Sequence, residues 1–148
     1  MNKITTNKKD LDFKCNLIYY TEGLKIAKKL KQVILFGNYK NCIGLAHNQI
    51  KGNKSVFVAK INNKWETFIN ATIINKSNEV YKTSEGCMSF PNNPNKVIRH
   101  KWVEIKHQVK ARNDVKGSAF ITEKFYGFEA TIIQHEIDHL NGIHIHNK

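Results

Sequence analysis

The stretch from Gly127 to Leu140, GFEATIIQHEIDHL, restricts the folds open to this chain more than any other segment. Ala130, Ile133, Ile137 and Leu140 recur at the spacing of one helix face, and Gly142 is placed to end the helix they predict. The same helix carries His135-Glu136-Ile137-Asp138-His139, an H-E-x-x-H pattern. Positions i and i+4 lie one turn apart on the same side, so both histidines can aim a ring nitrogen at one divalent metal ion. Glu136 sits beside them, able to reach a water without being a ligand. The fold must therefore bury the apolar stripe and bring a third ligand to the histidines, since a catalytic site commonly has three protein ligands and an open position.

Nine residues follow His139, too few for the distant downstream carboxylate that many H-E-x-x-H proteases use. The longer pattern H-E-x-x-H-x-x-G-x-x-H is approached by Gly142, but its last position falls on Ile145, between His144 and His146, which read as tail residues. Upstream, Cys87 in Glu85-Gly86-Cys87-Met88-Ser89-Phe90-Pro91 is the best-placed soft ligand, and Gly86 leaves backbone room beside it. Cys15 and Cys42 read as buried, inert thiols. Three cysteines without an export signal argue for reduced thiols rather than a disulfide framework.

The chain reads as one domain over residues 1–148, with no repeat or linker to divide it. Thr21 can cap an amphipathic helix along which Ile26, Leu30, Val33 and Ile34 recur. SVFVAKI and WETFI, separated by Asn62-Asn63, read as a hairpin. Thr72 to Ile74 and Trp102 to Val109 read as further strands, and Pro91 and Pro94 fall in one loop, PNNPN. His107 shares the apolar face of its strand with Val103, Ile105 and Val109, and reads as a packed, hydrogen-bonded side chain rather than a ligand.

Charge adds less than its size suggests. The formal net charge is +12 over 148 residues, but Arg99 and Arg112 are the only arginines. Base readout and bidentate phosphate clamps lean on the guanidinium fork, so a lysine excess spread along the chain does not point to sequence-specific nucleic-acid binding. No apolar run approaches a membrane span, and the first residues lack the features of a targeting peptide, so a cytoplasmic protein is expected.

Taken in order, GLA-x-x-Q at 44–49, EGC-x-S-x-P at 85–91 and QHE-x-DHL-x-G at 134–142 resemble the three-motif signature of the peptide deformylases. The resemblance runs from about Leu24 to His144 and includes FINATI at 68–73 and VIR at 97–99. The third motif matches at every defining position. In the second, Met88 replaces the usual leucine. The first departs most, with Cys42 for a glycine, His47 for an alanine and Asn48 where proline or threonine is common.

The resemblance implies a single α+β domain of mostly antiparallel strands around a central helix bearing the HEIDH motif. It also implies a hydrolase that removes the formyl group from N-formylmethionyl peptides. Cys87, His135 and His139 would hold a metal, ferrous iron natively, with zinc, nickel or cobalt able to occupy the site. Glu136 would move the proton, and the Gln49 amide with the Met88 backbone N–H would hold the oxyanion. Ile43, Phe128 and Ile132, with Gly44, would form the substrate pocket. Arg99 and Asp138 could pair in support of His139, and the lysines could draw the enzyme to the anionic ribosome. The length resembles the short deformylases of some phages. A zinc peptidase using the same helix, and an inactive homologue binding ribosomal RNA, are the competing readings.

Overall fold

The two α-helices among the described residues pack on opposite faces of one sheet. The computed structural model describes residues 3–112 and 117–148. Helix α1, Tyr20–Phe36, buries Gly23, Ala27, Leu30, Val33 and Ile34. Its N-cap is Tyr19, which makes no side-chain capping bond, so Thr21 lies inside the first turn rather than ahead of it. Helix α2, Gly127–Leu140, has the predicted bounds.

The described residues also form seven strands: β1 Gly44–Ala46, β2 Val56–Ile61, β3 Lys64–Lys76, β4 Val80–Cys87, β5 Phe90–His100, β6 Trp102–Lys110 and β7 Ser118–Tyr126. Five form one sheet in the order β1-β2-β3-β6-β7, while β4 and β5 pair separately, and every pairing is antiparallel. Phe57 and Ala59 of β2 pack with Ile133, Ile137 and Leu140 of α2, whereas Val56 and Val58 pack with Leu30 and Val33 of α1. Burial on both faces explains why β2 is a continuous apolar run instead of an alternating one. The helix with the HEIDH motif is thus enclosed between the large sheet and the β4–β5 hairpin.

The β2–β3 hairpin turns at Asn62 and Asn63, both with positive φ, as a two-residue connection of this kind requires. WETFI and Thr72–Ile74 belong to the single strand β3, interrupted by a register shift between Ile69 and Thr72. Asn70 lies at the shift with φ 55°. Its side chain accepts from Ile18 N–H and donates to the Ile18 carbonyl and to the Gln108 side-chain Oε1. Pro91 and Pro94 fall within β5 rather than a free loop, but on the stretch between Phe90 and Asn95 where no β4 residue pairs, so no ladder donor is lost. Among the described residues no helix is long and apolar enough to cross a membrane.

Candidate active site

Cys87 ends β4 and the histidines lie on the C-terminal half of α2, so the hairpin brings the thiol to the helix. Ligand atoms of Cys87, His135 and His139 all lie within 4.8 Å of one another. Cys87 Sγ stands 3.4 Å from His139 Nε2. A tetrahedral ion with ordinary metal–sulfur and metal–nitrogen bonds sets that edge at roughly 3.6 Å, so the spacing fits. His135 Nδ1 is engaged by Glu85 Oε1 at 2.9 Å, which leaves Nε2 to face the Cys87 thiol. His139 is fully buried, and burial holds its proton affinity well below the ordinary imidazole value, keeping it neutral as a ligand must be. At His135 burial also favours the neutral ring, but bonds to Cys87 and Glu85 and the Glu136 carboxylate outweigh it and raise the pKa to about 10. The three converging donors, one thiol and two imidazoles, fit one divalent cation.

Glu85 organises that surrounding. It accepts two bonds from Arg99, from Nε at 2.8 Å and Nη2 at 2.7 Å, and Arg99 Nη1 reaches Asp138 Oδ2 at 2.6 Å. Arg99 is 1% exposed. Burial would raise the Glu85 pKa, but Arg99, His135 and Thr83 hold it well below the usual carboxylate range. The expected Arg99–Asp138 pair is present, yet its support runs through Glu85 to His135 rather than to His139. Sequence reasoning had placed Glu85 in a motif without a role. One signal pointed to the network: Arg99 keeps a guanidinium in a chain where nearly every other cation is lysine, and only the fork makes this bidentate contact.

Glu136 is buried, and burial raises its pKa to about 7 even though His135 and Arg99 pull the other way. Its Oε1 has no hydrogen-bond partner among the described residues. The carboxylate presses on Gly44 of β1, where an added Cβ would lie 2.8 Å from Glu136 Cδ. Gln49, in the 3-10 turn His47–Ile50, is fixed by its Oε1 accepting from Ala46 N–H at 3.0 Å. Its Nε2 faces the metal group, 3.5 Å from Cys87 Sγ and 3.1 Å from Ser89 Oγ. Met88 occupies the turn between Cys87 and Phe90.

A cavity of about 490 Å³ opens beside these groups and is bordered by Ile43, Gly44, Gln49, Met88, Phe128 and Ile132 among others. Ile132 is nearly buried, whereas Ile43 and Phe128 stand exposed at 41% and 69%, so the first is wall and the others rim. Thr131, also on this wall, was missed, because a threonine on a helix carries no mark of a pocket.

The remaining candidates fall elsewhere. His144 is buried rather than a loose tail residue, its Nε2–H donating to Asp12 Oδ1, and His146 Nε2 meets the Asn93 carbonyl; neither joins the metal group. His107 packs on Phe68 and bonds Glu123, as expected of a core histidine. Cys15 and Cys42 are buried free thiols, pushed up to about 11 and about 12 chiefly by burial. His47 takes the Lys54 N–H at Nδ1, and no second donor cluster forms with Cys42 among the described residues.

A thiol and two imidazoles that could hold a metal ion, with a buried carboxylate on one side and an amide N–H on the other, fit a metal-dependent hydrolase acting on a carbonyl. Comparison with known proteins narrows the class. The polypeptide deformylase family model matches residues 2–148. The peptide deformylase of Thermotoga neapolitana is 32% identical over 124 residues, covering 84% of this chain and 71% of that protein. The crystal structure of the Thermotoga maritima peptide deformylase superimposes with a TM-score of 0.84 at 28% identity, covering 100% of this chain and 97% of that one. A probable peptide deformylase of Synechococcus phage S-SSM7 gives 0.82 at 28% identity, over 98% and 97%. The chain belongs to the polypeptide deformylase family, metal-dependent hydrolases that remove the N-formyl group from nascent peptides.

Proposed function

We propose that Cys87, His135 and His139 hold one divalent cation, natively ferrous iron and replaceable by zinc, nickel or cobalt, and that Glu136 is the base for deformylation. The observation that carries this reading is the convergence of the three donor atoms within 4.8 Å beside the buried Glu136 carboxylate. When bound, the cation supplies Lewis acidity and makes water a nucleophile near neutral pH. Glu136 takes a proton from the attacking water at its carboxylate and delivers it to the amine nitrogen of the departing peptide. Its proton affinity, lifted by burial to about 7, suits both steps. The Gln49 Nε2–H and the Met88 backbone N–H donate to the oxygen that gains charge as the formyl carbon becomes tetrahedral, each worth about 3 kcal/mol in the transition state. Ile43, Gly44, Phe128 and Ile132 receive the methionine. The products are formate and a peptide with a free amine.

The ligand assignment is tested by metal content. One ion per chain is expected, with a thiolate-to-metal absorption band in the cobalt form that Cys87→Ser abolishes. An unchanged band in that variant would remove Cys87 from the site.

The same reading takes the chain as a single catalytic domain working in the cytoplasm, where its charge of +12 draws it to the anionic ribosome. That attraction weakens with salt. Ribosome co-sedimentation that is absent at low ionic strength, or insensitive to salt, would end this part of the proposal.

A further inference from the structure

Two cavities meet along the first turns of α2. The first is the site cavity. The second, of about 670 Å³, lies between β4 and the start of α2 and reaches Lys101. Ser84, Glu85, Phe128 and Thr131 border both, while Tyr81 borders the second. Across the boundary the Tyr81 hydroxyl meets the Thr131 hydroxyl. Thr131 is buried and Tyr81 half-buried. Either hydroxyl can donate to the other, and in both arrangements the Gly127 carbonyl takes the remaining hydrogen, 3.3 Å from Thr131 Oγ1 and 3.4 Å from Tyr81 Oη. The chain of bonds closes with no donor left over. It also ties β4 to the first turn of α2, where Phe128 stands.

We infer that the Tyr81–Thr131 pair is the end wall of the pocket for the substrate's first side chain and sets the longest side chain accepted there. This rests on the pocket assignment under Proposed function. An unbranched side chain entering past Ile132 and Phe128 advances toward Thr131, and a longer one must part the two hydroxyls to enter the second cavity. Parting them strands two partly buried polar groups against an apolar chain end, which offers neither a hydrogen bond. Without the wall the two cavities become one, and that penalty disappears.

The test compares kcat/KM for two formyl tripeptides, one beginning with methionine and one with S-butyl-homocysteine, whose side chain is three carbons longer. The unaltered enzyme should prefer methionine by about tenfold or more, the scale on which a pocket discriminates by methylene groups. Tyr81→Ala and Thr131→Ala should each move that ratio toward the longer side chain by about tenfold. Tyr81→Phe and Thr131→Ser, which alter one hydroxyl or one methyl, should move it in the same direction or leave it near the native value, respectively. An unchanged ratio in every alanine variant that still cleaves the methionine substrate overturns the inference. If the alanine variants do not fold, an unchanged ratio in Tyr81→Phe overturns it. Failure of the pocket assignment itself reads differently: Ile132→Trp, which fills the pocket ahead of the wall, should raise KM for the methionine substrate, and an unchanged KM would reject the pocket rather than its end.

Discussion

At the scale of single residues, the site depends on a few contacts that leave no room for substitution. Gly44 lies against the Glu136 carboxylate, so Gly44→Ala must displace either β1 or the base. That variant should keep its metal and its fold but lose about 100-fold or more in kcat, the range for a misplaced proton-transfer group. Full activity would show that Glu136 is free to move. Glu85 acts at one remove by holding His135 Nδ1. Glu85→Gln should weaken metal affinity by about 10-fold to 100-fold, read by competition with a chelator. Gln49→Leu preserves volume and removes the amide. It should cost about 100-fold in kcat with little change in metal content, and a loss of metal instead would assign Gln49 to the ligand shell.

At the scale of elements, legibility followed burial. Helix α2 was readable in type and extent because its core stripe and its donors share one period. Strand β6 was readable because Val103, Ile105 and His107 alternate with polar residues. Strands β4 and β7 were not, since β4 alternates only between exposed and half-buried residues and β7 buries Phe125 alone. Those strands exist because a partner strand supplies their hydrogen bonds, a fact outside local pattern. Yet β4 carries Tyr81, Glu85 and Cys87, so the least legible strand holds much of the site. The need for a third, soft ligand singled out Cys87 where periodicity could not. The end of α2 offers a check on this packing. Gly142 has φ 75°, and a Cβ there would come within 2.9 Å of the Phe13 backbone. Gly142→Ala should destabilise the protein by about 1–2 kcal/mol from backbone conformation alone, and more from the clash. A denaturant midpoint equal to that of the native chain would contradict this close approach.

For the whole molecule, stability should depend on acid in a defined window. His47 titrates ordinarily at 6.5, but burial, reinforced by Lys29 and Lys54, lowers its folded value to about 4. Between those values the unfolded chain binds more protons, so this contribution is complete above pH 6.5 and is lost as pH falls through about 4. Unfolding free energies measured from pH 7 to pH 4 should fall more steeply for the native protein than for His47→Gln; parallel curves would contradict the burial of a neutral ring. The charge of +12 that dominates the composition takes almost no part in the site, whose candidate ligands and proposed base are cysteine, histidine and glutamate. The central claim is that this arrangement releases formate by way of Glu136. It is tested most directly by formate release from a formyl-methionyl tripeptide using anaerobically prepared protein beside Glu136→Ala at equal metal content. The account predicts stoichiometric formate, no internal peptide cleavage, and a loss of about 100-fold or more in the variant; equal rates in the two proteins, or cleavage of the peptide without formate, would contradict it.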